Sequence, residues 1–168
     1  MDRRSDTSDT RLPRRRHLRR LETVFAADSA AIYFITVCTR NRRRALAEKR
    51  AADVLIDALT RAPSSHGWNV GRYVIMPDHV HFFCVPVGEG AKRLSSFVGF
   101  WKRDTAARIR VSSNPSFRWQ AEFFDHLLRS EESYEEKWEY ARANPVRARL
   151  VVTPDEWPFQ GEPNVLEC

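Results

Sequence analysis

Four apolar runs in the chain have the length and composition of β-strands. The first, residues 31–39, is a continuous series of β-branched and aromatic side chains, which predicts a buried strand. Residues 69–76 and 79–85 are two further runs that are separated only by Pro77-Asp78, and this spacing predicts a tight hairpin. A shorter run near 122–128 predicts a fourth strand.

Three other stretches place apolar side chains at helical spacing. Residues 48–62 predict a first helix, and a second helix follows Gly88-Glu-Gly90 and extends to about Val111. Ser130 is a favourable N-cap for a third helix. We expect that helix to end at Asn144-Pro145, because a residue before proline leaves the helical region.

The predicted order is strand, helix, strand, strand, helix, strand and one added helix. This is the order of the split β-α-β arrangement. We therefore expect an α+β protein with a ferredoxin-like antiparallel sheet, helices on one face and an added C-terminal helix. We expect a flexible basic arm over residues 1–27, one folded domain over residues 28–158 and a loose C-terminal tail over residues 159–168.

Length and composition agree with a single globular domain. The chain has 168 residues, of which 42% are hydrophobic, and no apolar run approaches the roughly 18 residues that a membrane-spanning helix needs. The charged N-terminus lacks the apolar block of a secretory signal, so we expect a cytoplasmic protein without membrane contact. The three cysteines are scattered and form no Cys-x-x-Cys pair, which indicates neither a disulfide framework nor a zinc ribbon.

The charge balance indicates a polyanionic partner. The formal net charge is +6 and the isoelectric point is near 9.6, which favours nucleic acid. The candidate backbone contacts lie in the arm, in the loop after the first strand and on the polar side of the second helix: Arg14, Arg15, Arg16, Arg42, Arg43, Arg44, Lys92 and Arg103. The alternative is that these are solvated surface charges without a binding role.

Two histidines stand at the start of the third strand. His79 and His81 are separated by one residue, and because side chains alternate along a strand, both imidazoles should point to the same face. Two neutral imidazoles side by side supply half of a divalent metal site. Two ordinary histidines at a sheet end are the alternative, since His-x-His alone is a weak signal.

A tyrosine and an amide lie off the apolar face of the last helix. Tyr134, Trp138 and Ala141 share one helical face, whereas Tyr140 and Asn144 are one turn apart on another. Tyr140 is therefore not needed for packing. A phenol beside a metal that polarises a phosphate can serve as a nucleophile. A half-exposed aromatic without a catalytic role is the alternative.

Three motifs, in this order, resemble those of the single-tyrosine HUH transposases and especially of the REP-associated tyrosine transposases. They are Met76-Pro-Asp-His-Val-His81, the stretch from Trp119 to His126 followed by Arg129, and the segment from Tyr140 to Leu150. The resemblance covers about residues 31–157. It implies a ferredoxin-like catalytic domain whose added helix carries the tyrosine.

The resemblance implies a role for each matching residue. His79 and His81 bind one Mg²⁺ or Mn²⁺, and Tyr140 is the nucleophile. Asn144 matches a polar residue, usually glutamine in insertion-sequence relatives, that completes the metal shell directly or through water. The implied substrate is hairpin DNA with an adjacent single-stranded segment, cut and rejoined through a 5′-phosphotyrosine link without ATP. The implied location is the nucleoid, and both a monomer and a homodimer agree with the resemblance.

Two other functions fit the same residues. A metal-dependent phosphoesterase would use His79 and His81 with a water nucleophile and would form no covalent intermediate. A basic ferredoxin-like module would bind RNA or DNA without cutting it. Phe82 and Phe83 face opposite sides of their strand, however, and so form no paired aromatic platform for bases.

Overall fold

The computed structural model describes residues 31–128 and 131–166, and it contains the predicted elements in the predicted order, with five short additions. The strands are β1 (Ile32–Cys38), β2 (Trp68–Met76), β3 (His79–Pro86), β4 (Phe124–Leu128) and β5 (Gln160–Gly161). The helices are α1 (Lys49–Thr60), α2 (Ala62–His66), α3 (Leu94–Ser112), α4 (Glu131–Arg142) and α5 (Asn144–Arg147). The additions to the predicted elements are α2, α5, β5 and two 3-10 helical turns, Arg40–Arg42 and Pro154–Glu156.

Within the described residues, the strands form one antiparallel sheet in the order β4-β1-β3-β2-β5. The first four follow the split β-α-β order, in which the crossovers through α1 and α3 place β3 beside β1. The ferredoxin-like α+β fold is therefore confirmed. β3 lies inside the sheet, where hydrogen bonds to β1 and β2 hold its backbone from both sides.

Alternation along the strands gives the sheet two apolar faces. Ile35 and Phe82 point to the face that α1 and α3 cover. Phe34 and Phe83 point to the other face, where α4 packs Tyr134 against Phe83 with ring centroids 4.7 Å apart. The two crossover helices thus share one face, and the added helix lies on the other.

Arg72 of β2 fixes α4 to the sheet. Its guanidinium carbon lies 5.1 Å from the centroid of the Tyr134 ring and 5.5 Å from that of Trp138, and its Nη1 is 2.7 Å from Glu135 Oε1. Aromatic faces and a carboxylate both attract the same cation. These contacts set the position of the last turn of α4 relative to β3.

Two predicted helix ends need correction. After α1 the chain makes the additional helical turn α2, which stops at Gly67 in a left-handed conformation with φ 70°. α4 ends at Arg142, near the predicted position, but Asn144 and Pro145 then begin α5. Proline is tolerated there because the first turn of a helix needs no N–H donor from it.

The expectation of a loose C-terminal tail is wrong for residues 159–166. β5 pairs with β2 as an edge strand, and the side chain of Leu166 is buried against Gly71. A Cβ atom at Gly71 would lie 2.6 Å from Leu166 Cγ, so this packing requires glycine. Isolated anchor residues leave no periodic pattern in the sequence, and for that reason the contact was not predicted.

Residues 1–30, which include the predicted basic arm, and residues 129–130 and 167–168 lie outside the described residues. In the part of the chain that is described, no helix is long and apolar enough to cross a membrane.

Candidate active site

His79 and His81 lie side by side at the start of β3. Both point to the sheet face that α4 covers, as strand alternation predicts, and their ring centroids are 4.7 Å apart with the planes at 81°. His81 is opposite Thr36 of β1 and Val74 of β2, and its ring stacks on Phe34 at a centroid distance of 5.1 Å. The pair is therefore mounted on an interior strand of the sheet.

A hydrogen bond fixes Nδ1 of each ring. His79 Nδ1 lies 2.7 Å from Asp78 Oδ1, and His81 Nδ1 lies 2.8 Å from Thr36 Oγ1. Asp78 is itself held by Arg42, whose Nε is 2.8 Å from Asp78 Oδ2. A proton on Nδ1 leaves the Nε2 lone pair for a ligand, and partners of this kind orient metal-binding histidines.

Burial keeps both imidazoles neutral. Burial, reinforced by the nearby charges of His79, Arg42 and Arg147, lowers the pKa of His81 to about 3. Burial also lowers the pKa of His79, although the Asp78 carboxylate acts in the opposite direction. At neutral pH the two rings therefore present lone pairs, and this is the form that coordinates a metal.

The donor set fits a divalent cation at an open site. Two adjacent neutral imidazoles are suitable ligands for transition-metal ions. In residues 31–128 and 131–166, no group of three or more His, Cys, Asp or Glu side chains is arranged to hold a metal. The protein would supply few ligands and leave most positions to water and substrate, as catalytic metal sites do.

Tyr140 lies in the last turn of α4 and does not belong to its packed face. Tyr134 and Ala141 are buried, whereas Tyr140 is 55% exposed. Helical spacing therefore predicted correctly that the core does not need Tyr140. Its side chain is open to solvent.

Arg147 of α5 contacts both Tyr140 and Asn144. Its guanidinium carbon lies 4.4 Å from the centroid of the Tyr140 ring, and its Nη2 donates to the Tyr140 carbonyl oxygen and, at 2.8 Å, to Asn144 Oδ1. The same positive charge lowers the pKa of His81. The turn between α4 and α5 thus brings Tyr140, Asn144 and Arg147 to the side of the sheet that carries both histidines.

Only one of the two polar atoms of the Asn144 side chain has a hydrogen-bond partner among the described residues. Its Oδ1 accepts from Arg147, but its Nδ2 is buried and has no hydrogen-bond partner among the described residues. Buried amide groups are nearly always paired. The site therefore has unused hydrogen-bonding capacity one helical turn from Tyr140.

The arginine-rich loop after β1 lies next to the histidine end of the sheet. Ala45 N and Leu46 N both donate to Pro77 O, at 2.7 and 3.0 Å, so main-chain bonds tie the loop to the hairpin. Arg42 is engaged with Asp78 and, through Nη1, with Cys38 Sγ at 2.8 Å. Arg43 and Arg44 are exposed.

Lys92 and Arg103, two further predicted DNA contacts, lie elsewhere on the domain. Trp68 Nε1 donates to the Lys92 carbonyl at 2.7 Å, and Trp68 pairs with Pro86, at the opposite end of β3 from His79. The two ends of an eight-residue strand are roughly 25 Å apart. Arg103 is exposed on α3, behind the sheet. Arg14, Arg15 and Arg16 lie outside the described residues.

Three residues of the site were not predicted from the sequence: Thr36, Asp78 and Arg147. The contact of Thr36 depends on the register between β1 and β3, which spacing along the chain does not give. Asp78 precedes a predicted metal ligand, and Arg147 lies one turn after Asn144. A carboxylate next to a histidine is a signal that could have identified Asp78. A cationic side chain on the turn that follows Tyr140 and Asn144 could have identified Arg147 in the same way.

A family model described as "Transposase IS200 like" matches residues 28–137. The matched segment is well over half of the chain and runs from β1 into α4. It includes His79 and His81 and ends three residues before Tyr140.

Several proteins are similar to this chain. An uncharacterized protein of Haemophilus influenzae is 22% identical, over 70% of this chain and 82% of its own length. The solved structure of a REP-associated tyrosine transposase bound to a REP hairpin matches with a TM-score of 0.62 and 25% identity, over 78% of this chain and 76% of that one. A putative transposase from Deinococcus radiodurans R1 shares the fold, with a TM-score of 0.53 and 19% identity over 70% of this chain and 94% of that one.

Proposed function

Because the chain belongs to the IS200-like transposase family, we propose that it cleaves and rejoins single-stranded DNA beside a hairpin through a covalent 5′-phosphotyrosine intermediate. The observation that carries this proposal is the placement of two neutral imidazoles on β3 and an exposed tyrosine on α4 on one side of the sheet. The REP hairpin bound by the similar REP-associated transposase supports the class of substrate.

His79 and His81 would hold one Mg²⁺ or Mn²⁺, and Asn144 would add a ligand directly or through water. When bound, the cation withdraws charge from the scissile phosphate. The Asp78 carboxylate, which can only accept, keeps the His79 proton on Nδ1 and leaves Nε2 unprotonated, while Thr36 orients the ring of His81 through Nδ1.

Tyr140 supplies the nucleophile. Its Oη forms a bond to phosphorus while the bond from phosphorus to the 3′ oxygen breaks. The phenol proton passes to solvent, and the departing oxygen takes up a proton to become a 3′-hydroxyl. The guanidinium of Arg147, 4.4 Å from the ring centroid, packs on the Tyr140 ring and holds it in place. Attack by a 3′-hydroxyl on the phosphotyrosine reverses these steps, so the bond energy is retained and ATP is not needed.

The DNA backbone crosses the loop after β1, where Arg42, Arg43 and Arg44 surround the histidine end. Arg14, Arg15 and Arg16 of the N-terminal arm add contacts to the phosphates. Lys92 lies roughly 25 Å from His79, the length of about seven base pairs, so it and Arg103 meet only a distal part of a hairpin stem. Because the substrate is chromosomal DNA, the protein would work at the nucleoid. The proposed reaction is compatible with a monomer and with a homodimer.

A labelled hairpin oligonucleotide with a single-stranded flank tests the proposal. With Mn²⁺, the wild-type protein should form a protein–DNA adduct that survives denaturing electrophoresis. Tyr140→Phe, which keeps the ring and lacks the hydroxyl, should form none. Tyr134→Phe is the matched control, since that hydroxyl is buried without a hydrogen-bond partner among the described residues, and it should keep the adduct. Cleavage without an adduct would indicate a phosphoesterase, and a mobility shift alone would indicate a binding module.

A further inference from the structure

A polar cavity opens beside the end of the sheet that carries His79. Its volume is about 290 Å³, and it lies between the loop that follows β1 and the loop that follows α3. Small-ligand pockets begin at roughly 300 Å³, so this one has room for a single small unit and not for a duplex. Of the residues that line it, the function proposed above uses only Arg43, as a contact to the DNA backbone.

Three arginines without acidic partners line the cavity. They are Arg40, Arg43 and Arg118, and no carboxylate is among the lining residues. Within residues 31–128 and 131–166, none of the three forms an ion pair. Three uncompensated guanidinium groups around a concave surface favour an anion, and their planar forks match the oxygens of a phosphate.

The uncharged lining of the cavity suits the remainder of a nucleotide. Asn114 Oδ1 accepts from Ser116 N at 3.1 Å and from Ser116 Oγ at 3.0 Å, so the amide is held in place and its Nδ2 remains as a donor. Phe117 contributes apolar surface. A nucleotide combines a charged phosphate with a base that has acceptor atoms on its edge and an apolar face.

Main-chain hydrogen bonds fix this cavity relative to the histidine pair. Thr39 N donates to Asp78 O at 2.9 Å, and Arg40 N donates to Arg118 O at 2.9 Å. Asp78 is also the hydrogen-bond partner of His79. A DNA strand with one phosphate at the histidines can therefore continue over this end of the sheet into the cavity.

We propose that the cavity binds one nucleotide of the single-stranded DNA that flanks the scissile phosphate. Arg40, Arg43 and Arg118 contact its phosphate, and Asn114 Nδ2 donates to its base. The identity of the strand rests on the function proposed above. Binding in the cavity requires neither the metal nor Tyr140, so the two proposals can fail separately.

The test compares a hairpin that has a single-stranded flank with a blunt hairpin, by fluorescence anisotropy in EDTA. Arg118→Ala should weaken binding of the flanked hairpin on the order of tenfold and leave the blunt hairpin unchanged, because one charge-assisted contact is lost. The slope of log affinity against log salt should become shallower by about 0.7 for the lost phosphate contact.

Arg61→Ala is the matched control. It removes one positive charge from an exposed position at the C-terminal end of α1, where the guanidinium is already 2.7 Å from Asp57. Both hairpins should bind this variant as they bind the wild-type protein. Arg43→Ala repeats the test at a second exposed arginine of the cavity and replaces Arg118→Ala if that variant does not fold.

Two outcomes would overturn the proposal. Equal weakening of both hairpins would place Arg118 on the stem, and no change with either hairpin would leave the cavity without a role in DNA binding. A wild-type protein that forms no adduct with Mn²⁺, yet prefers the flanked hairpin through Arg118, would refute the covalent mechanism and support the nucleotide site.

Discussion

Arg147 Nη2 donates to Asn144 Oδ1 at 2.8 Å. If Asn144 binds the metal directly, it must do so through this same oxygen. A carbonyl oxygen has a second lone pair, so a metal bond is still open to it. The guanidinium nevertheless repels a cation at such short range. We expect Arg147 to turn toward a DNA phosphate before Asn144 coordinates fully.

Replacing Arg147 by alanine should have opposite effects on two quantities: the affinity for Mn²⁺ should rise and the rate of cleavage should fall. Mn²⁺ affinity, measured by calorimetry without DNA, should rise several-fold because the repulsion is removed. The rate of adduct formation should fall, since the Tyr140 ring loses the guanidinium that packs against it. Arg149→Ala removes a charge two residues further on and should change neither quantity. An unchanged Mn²⁺ affinity in Arg147→Ala would show that the arginine does not oppose the metal.

Replacing either histidine by alanine should abolish cleavage and leave hairpin binding largely intact. His79 and His81 hold the metal in the proposed reaction, while the DNA contacts lie on other residues. Cleavage and Mn²⁺ affinity are measured with metal, and hairpin affinity is measured in EDTA. If hairpin binding is lost to the same degree as cleavage, the two histidines serve folding instead.

Replacing Asp78 by asparagine should lower Mn²⁺ affinity by about 10- to 100-fold, the usual effect of removing the partner of a metal-binding histidine. The Asp78 carboxylate is 2.7 Å from His79 Nδ1 and fixes the proton there. Asp53→Asn, on the exposed side of α1, is the control and should bind the metal like the wild-type protein. Equal affinities for Asp78→Asn and Asp53→Asn would remove Asp78 from the site.

His81 should make the free energy of unfolding depend on pH. Its folded-state pKa of about 3 lies below the ordinary value of 6.5, so within this window the unfolded chain binds a proton that the folded chain does not. Stability should therefore rise with pH from about 3 to about 6.5 and level off above that range. Urea unfolding in EDTA measures the slope. His81→Asn should flatten it, and the exposed His126→Asn should not.

Gly71 and Leu166 should show strongly non-additive effects on stability. Gly71→Ala places a methyl group 2.6 Å from Leu166 Cγ and should cost about 1–3 kcal/mol by overpacking. Leu166→Ala should cost about 2–4 kcal/mol through the cavity that it leaves. The double variant should be more stable than the sum of the two predicts, because the smaller side chain makes room for the methyl group. Additive costs in urea unfolding would contradict the packing described here.

The parts of the structure that depend on local pattern were predictable from the sequence. The continuous apolar run gives β1, Pro77-Asp78 gives the hairpin, and alternation places His79 and His81 on one face. Helical spacing alone predicts that Tyr140 does not belong to the packed face of α4. Each of these inferences needs only a few neighbouring residues.

The parts that depend on pairing between distant segments were not predictable. Thr36 reaches His81 only because β1 pairs with β3 in this register, and a shift of one residue would turn Thr36 to the other face. Helical spacing placed Lys92 on a polar side of the second helix. It could not show that this position lies at the opposite end of the sheet from His79.

The bonds that tie Pro77 and Asp78 to the loop after β1 make the position of the histidines independent of the side chains at Arg43 and Arg44. Three of these bonds use backbone atoms only: Pro77 O accepts from Ala45 N and Leu46 N, and Asp78 O accepts from Thr39 N. None of the side-chain bonds in this connection comes from Arg43 or Arg44. Substitution of Arg43 or Arg44 therefore leaves the histidines where they are. If the proposed function holds, substitutions in this loop would alter the choice of DNA target without moving the two histidines.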